Sequence, residues 1–310
     1  MSADVDSAAV ASATRPSAPT SRYRVEHETR YAYRVPVAQS WQLARLTPRQ
    51  LPWQRLLRHA LTIEPAADER REARDSFGND VTHFAIHAPH ALLRLQLSCA
   101  IEVSARPDAA RVAGLPWDDV APRLRGASSE QAVLAARLSE PSALVPWSEA
   151  ARAYARPSLA PGRDWLEAVT ELMHRIHADF AFQSGATTVA TQVDEVLTLR
   201  RGVCQDFAHV MLSCLRGHGL PARYVSGYLL TDPPPGRPRL LGVDATHAWV
   251  AAWSPLHGWV EFDPTNDQHA DPRYITLAWG ADFADVVPLR GVILGGSGQR
   301  MSGAVSVIPV

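Results

Sequence analysis

Apolar residues recur at three- and four-residue steps in two stretches of the chain. Leu166, Val169, Leu172, Met173 and Ile176 form one stripe, and Phe207, Val210, Met211, Cys214 and Leu215 form another. Each predicts a helix with one face turned to a core. Asp164 stands where the first helix needs its N-cap, and Gly217, Gly219 and Pro221 end the second. Thr191 reads as the cap of a shorter helix through Val196 and Leu197. A period of two governs Leu93 to Val103, which predicts a half-buried strand through Cys99. Ala245 to Trp253 reads as a strand, Ser254 to Gly258 as a loop and Trp259 to Asp263 as the returning strand. Strand patterns and turn signals such as Phe77-Gly78-Asn79-Asp80 fill Tyr23 to Val103, as in a sandwich or small barrel.

These patterns divide the chain into a disordered tail over 1–21, a β-rich domain over 22–105 and a linking helical region over 106–162, rich in Pro and Ala. A core over 163–300 and a short tail over 301–310 complete it. No repeat of solenoid length is present.

The stretch Arg201-Gly202-Val203-Cys204-Gln205-Asp206-Phe207-Ala208-His209 carries the chemistry. It places Cys204 in the first turn of the second helix, where unpaired N–H groups and the helix dipole favour a thiolate and could hold an oxyanion. Cys99 and Cys214 lie on apolar faces and read as core. If Trp253 pairs with Trp259, then Trp249 faces Asp263 and His247 faces Thr265. His247 and Asp263 become diagonal neighbours on one face, ~7–8 Å apart at the backbone and within side-chain reach. A slip of one residue would put them on opposite faces. A thiol, a base and a carboxylate to orient the base are the parts of a Cys-His-Asp triad.

The motifs Gly202-Val203-Cys204-Gln205-Asp206-Phe207-Ala208-His209, Pro221 to Tyr228, His247-Ala248-Trp249 and Asp263-Pro264-Thr265-Asn266 closely resemble the bacterial transglutaminase-like cysteine proteins. The segments Phe180 to Thr188 and Asp282 to Gly291 are similar to that family too. The resemblance implies an α+β fold: a papain-like transglutaminase core, its nucleophile helix packed on an antiparallel sheet, behind an N-terminal β-rich domain. It implies Cys204, His247 and Asp263 as catalytic residues, no cofactor or metal, and a peptide or protein amide as substrate. One departure stands out: the family's Gly-Arg-Asp-Tyr is here Gly280-Ala281-Asp282-Phe283, without the arginine's charge and the tyrosine's hydroxyl.

Composition narrows the partners. A formal net charge of −1 offers no general attraction to nucleic acid or anionic membrane. No apolar run is long enough to span a bilayer. Three cysteines at unrelated spacings and no signal-like start fit a reducing cytoplasm. All the basic residues counted as Lys+Arg are arginine, which reads as codon usage. His174 and His177 have a helical metal-ligand spacing, but no cysteine or carboxylate set joins them. Gly295-Gly296-Ser297-Gly298 lacks the lysine and helix of a phosphate loop. The loop Thr231 to Arg239, with Pro233-Pro234-Pro235-Gly236, is a candidate wall of the active site. The expected chemistry is thiol acyl transfer on an amide, resolved by water in a peptidase or amidase, or by an amine in a transglutaminase. A binding module on the same fold is the non-catalytic alternative; the oligomeric state is left open.

Overall fold

The computed structural model describes residues 20–127, 129–231 and 246–310. The Pro233–Gly236 loop and nearly all of the predicted N-terminal tail lie outside them. Five strands open the described chain: β1 (Thr20–Ala44), β2 (Gln54–Glu64), β3 (Glu69–Arg74), β4 (Asp80–Ile86) and β5 (His90–Ser104). Helices α1 (Val120–Arg125), α2 (Glu130–Arg137), α3 (Glu149–Ala155) and α4 (Trp165–Asp179) follow. Next come β6 (Ala181–Phe182), α5 (Val193–Leu199), β7 (Arg201–Gly202) and α6 (Cys204–Arg216). The chain ends with β8 (Ala222–Leu229), β9 (Thr246–Ser254), β10 (Gly258–Asp263), β11 (Gln268–His269), β12 (Tyr274–Gly280) and β13 (Leu289–Pro309).

The N-terminal strands form one antiparallel sheet in the order β2-β5-β1-β4-β3, and β13 pairs with β1. Hydrogen bonding thus joins what the sequence suggested as a sandwich or barrel into a single sheet. The long β1 makes this possible: it pairs with β5 from Thr20 and with β4 from Ser40, while β13 runs along it from Tyr23 to Ala44. This corrects the domain division, because Leu289–Pro309 belongs neither to the core nor to a tail. Glycines concealed the strand, since they carry no strand signal. Gly295, Gly296 and Gly298 have φ of 75°, 74° and 63°, beside the register shift between Val37 and Gln39. A Cβ on Gly296 would lie 2.7 Å from Val37 Cγ2. The glycine cluster is therefore the bend of a strand.

The core is a five-stranded antiparallel sheet, β11-β10-β9-β8-β12, with α6 packed on β8 and β9. Helices α3, α4 and α5 cover the other side of α6. Every residue from Asp206 to Arg216 is buried, so the helix is enclosed on all sides and is not merely amphipathic. Phe207, Val210, Met211, Leu212 and Leu215 are each at most 2% exposed, contributing roughly 1.5–3 kcal/mol apiece. The helix that carries Cys204 is thereby held firmly. Arg216 is buried at its last turn and donates to the carbonyls of Ala222, at 2.8 Å, and Ala281, at 2.5 Å. Asp164 caps α4 as expected, accepting from Leu166 N at 2.9 Å and Glu167 N at 3.2 Å. The cap of α5 falls on Gln192, one residue after Thr191, whose hydroxyl instead accepts from Thr188 N. The sulfur of Cys214 donates to Ala151 O, so α3, which the sequence reading left in the linker, packs as part of the core.

Two buried carboxamides join the domains. Gln54 Nε2 donates to Thr276 O at 2.8 Å, and its Oε1 accepts from Thr276 N at 2.7 Å. Asn79 Nδ2 donates to Trp279 O at 2.9 Å, and its Oδ1 accepts from Trp279 N at 3.0 Å. Each amide thus satisfies backbone groups on the free edge of β12 as a neighbouring strand would. Replacing Gln54 by Leu should leave the Thr276 N–H unpaired, while its C=O keeps the Arg49 N–H at 3.2 Å, and cost roughly 1–3 kcal/mol. A urea midpoint equal to that of the wild type would contradict this role.

Candidate active site

The nucleophile's position starts with a glycine. Gly202 precedes α6, and a Cβ there would lie 2.5 Å from Asp206 Oδ2. Its absence lets Asp206 fold back and accept from Val203 N at 2.7 Å and from the Thr187 hydroxyl at 2.6 Å. Burial outweighs these bonds and raises the Asp206 carboxyl above its ordinary range. Cys204 follows as the first residue of the helix and is partly exposed, whereas Cys99 and Cys214 are buried. Burial pushes both of those thiols up to about 12.

The base and the carboxylate come from the hairpin in the expected register. Trp259 pairs with Trp253 and Phe262 with Val250, which puts His247 and Asp263 on one face. His247 Nε2–H donates to Asp263 Oδ2 at 2.7 Å. Cys204 acts on the imidazole as well, and with Nε2 spent on Asp263 the ring nitrogen left for the sulfur is Nδ1. Burial by itself would lower the His247 pKa. The bonds to Asp263 and Cys204, with the charges they carry, outweigh burial and push it up to about 10. Burial of Asp263 works the other way and is outweighed by His247, Tyr274 and Asn266, which hold the carboxyl below its usual range.

Several residues of this site escaped the sequence reading. Tyr274 on β12 donates its hydroxyl to Asp263 Oδ2 at 2.6 Å and receives Gln268 Nε2, also at 2.6 Å. Asn266 Nδ2 donates to the same carboxylate oxygen at 2.7 Å, and Thr265 N to Oδ1 at 2.9 Å. The Trp249 ring stacks on His247 with centroids 6.1 Å apart, and its Nε1–H donates to Glu261 Oε2 at 3.1 Å. Arg106 holds that carboxylate from the linker at 2.8 Å and donates to Tyr274 O at 3.2 Å. Gly227 makes room for the indole: a Cβ there would lie 2.6 Å from Trp249 Cη2 and 2.0 Å from Ile275 O. The diagonal spacing of Trp249 and Glu261 was available in the hairpin register. Nothing in the sequence brought Tyr274 to Asp263, with β8 and β9 between their strands.

The two helical histidines serve this loop rather than a metal. His177 Nδ1–H donates to Thr265 O at 3.0 Å, and His174 pairs with Asp267. Among the described residues no group of three or more His, Cys, Asp and Glu side chains could hold a metal ion. The altered segment Gly280-Ala281-Asp282-Phe283 works through its backbone and its aspartate. Ala281 O receives Arg216, Phe283 N–H donates to His209 Nε2 at 3.3 Å, and Asp282 Oδ2 accepts from Leu144 N at 2.9 Å. None of these bonds uses the side chain of Ala281 or Phe283, though the Phe283 ring packs edge-on against Tyr224 with centroids 6.2 Å apart. His209 is buried, and desolvation pushes it down to about 4, so it stays neutral as an acceptor.

The chain is 43% identical to an uncharacterised protein of Mycobacterium tuberculosis over 303 residues, 95% of each chain. It is 33% identical to one of Mycobacterium leprae, over 88% of this chain and 94% of that one. A protein-glutamine gamma-glutamyltransferase of Pseudomonas aeruginosa shares 39% identity over 101 residues, 31% of this chain and 15% of that protein. The fold matches the crystal structure of a candidate cysteine protease from Cytophaga hutchinsonii with a TM-score of 0.69. That match has 17% identity and covers 93% of this chain and 91% of that one. Residues 23–102 match the bacterial transglutaminase-like N-terminal region and residues 152–264 the transglutaminase-like superfamily; the chain belongs to that superfamily.

Proposed function

We propose that the protein is a thiol enzyme that cleaves amide bonds by hydrolysis, with Cys204 as nucleophile, His247 as acid–base group and Asp263 as its orienting partner. The observation that carries this reading is the imidazole bonded to both Asp263 and Cys204. The proton that the sulfur gives up rests on His247 Nδ1, and the sulfur attacks the amide carbonyl. The oxyanion faces the N–H groups at the very start of α6, ahead of Asp206 and Phe207, whose own N–H groups donate to Val203 O. As the C–N bond breaks, Nδ1–H protonates the leaving amine and a thioester forms on Cys204. Water then gives a proton to His247 and its oxygen to the acyl carbon, and the free acid leaves with the sulfur again beside the protonated imidazole. Cys204 is partly exposed, and Asn266 beside His247 is exposed, so water reaches the thioester. The substrate is a peptide or protein amide.

Transamidation is the second reading, favoured by the local identity to the Pseudomonas aeruginosa glutamyltransferase. Both reactions share the acyl-enzyme and differ in the nucleophile that resolves it. A peptide bearing glutamine and internal amides, incubated with excess primary amine and weighed by mass spectrometry, should give mainly free acid. Mainly amine adduct at modest amine concentration would overturn hydrolysis in favour of transfer.

Cys204→Ala and His247→Ala should each abolish turnover while keeping the fold. Asp263→Asn should lower kcat by up to about 10⁴, the loss known for the same change in the worked serine-protease triad. Near wild-type kcat in Asp263→Asn would contradict its role. Iodoacetamide should label Cys204 in the native protein, and Cys99 and Cys214 only after unfolding. Equal labelling of all three thiols in the folded state would remove Cys204 as the nucleophile.

A further inference from the structure

A cavity of about 310 Å³ lies beside the base, between the two domains. His27, Thr29 and Tyr31 of β1 line it, with Val305, Gly303 and Met301 of β13. These six are three alternate rungs of one pairing: His27 opposite Val305, Thr29 opposite Gly303 and Tyr31 opposite Met301. They share a face of the sheet because successive side chains alternate. Val287, Pro288 and Leu289 form another wall, and Thr246 forms the part nearest the triad. Thr246 immediately precedes His247, and the two pair with Tyr228 and Gly227 of β8. Neighbouring strand side chains leave opposite faces, so the cavity adjoins the backbone of the catalytic histidine at Thr246.

We propose that this cavity receives the bulky apolar side chain of the substrate residue next to the amide that Cys204 attacks. The proposal rests on the acyl-transfer reading above. The chemistry of the lining selects such a group. Tyr31, Val287, Pro288, Leu289, Met301 and Val305 give it an apolar surface. His27, its most polar residue, is only 5% exposed and spends both ring nitrogens internally. Nδ1 is bonded to the Tyr228 hydroxyl at 2.9 Å and Nε2 to the Thr29 hydroxyl at 3.0 Å. Burial pushes it down to about 4, so it carries no charge for a carboxylate at neutral pH. The volume stands at the low end of the ~300–1,000 Å³ of small-ligand sites, room for one large side chain. Gly303 keeps the middle rung open. A Cβ there meets nothing closer than Glu28 O at 3.4 Å, so a side chain at this position can grow into the space without backbone strain. The N-terminal sheet and the last strand thereby become part of the specificity site.

Affinity labels test this without requiring turnover. N-chloroacetyl amides of leucine, phenylalanine and glycine alkylate a thiol by displacing chloride from the methylene carbon. The leucine and phenylalanine reagents should label Cys204 about tenfold faster than the glycine reagent, the discrimination an apolar pocket gives. Gly303→Leu should bring that ratio close to one, and so should Met301→Trp at the exposed rim, should the glycine variant fold poorly. Protection of Cys99 and Cys214 from the same reagents reports the fold. Equal rates for all three reagents in the wild type, or a ratio unchanged in both variants, would overturn the assignment. Side-chain-dependent labelling supports it whether or not amides are turned over; failure of the hydrolase reading shows separately, as absent turnover.

Discussion

The Asp263 carboxylate is fully buried, and a buried charge is tolerable only when it is paired and hydrogen-bonded. Five donors meet it: the His247 imidazole, the Tyr274 hydroxyl, the Asn266 amide, and the backbone N–H groups of Thr265 and Asn266. Removing one partner of such a buried pair costs about 3–5 kcal/mol, so the surrounding structure is constrained to deliver all of them. The hairpin register brings His247. The turn after Pro264 brings Asn266, clamped from α4 by His174 and His177. Curling of the five-stranded sheet brings Tyr274 across β8 and β9, and Arg106 fixes the backbone of that residue from the linker. Orienting a base in this way fixes which ring nitrogen is left for the sulfur.

The nucleophile is held by a separate set of contacts. α6 is buried on all sides, which removes freedom from Cys204 at its start. Asp206, Gly202 and Thr187 close the turn in front of it. At the far end Arg216 and His209 tie the helix to the segment that departs from the family pattern, through backbone groups and Asp282. Backbone contacts tolerate exchange of the side chain, so Ala281 and Phe283 leave the framework around Cys204 intact. The same core sheet offers the edge of β12 to Gln54 and Asn79, which seats the N-terminal domain next to His247.

Local pattern made much of this legible. The helical stripes located α4 and α6, the cap at Asp164 was readable, and the Trp253–Trp259 register correctly joined His247 to Asp263. Residues that act across the sheet were not readable, because no periodicity links Tyr274 to Asp263 or Arg106 to Glu261. β13 was missed because glycine carries no strand signal and its partner β1 lies at the other end of the chain. His174 and His177 are readable as one face of a helix, yet their role on the 265–267 loop needed the tertiary fold. Thr191 failed as a cap by one residue because its hydroxyl is used by Thr188.

The central claim is that Asp263 holds His247 as a protonated partner of the Cys204 sulfur. Ring ¹⁵N shifts of His247, followed by NMR from pH 6 to 11, test it most directly. The account predicts an imidazolium through neutral pH that loses its proton as the pH rises toward about 10. It also predicts a marked fall of that midpoint in Asp263→Asn, where of the two partners that offset burial only Cys204 is left. A ring that is already neutral at pH 7 in the wild type, or a midpoint indifferent to Asp263→Asn, would contradict it.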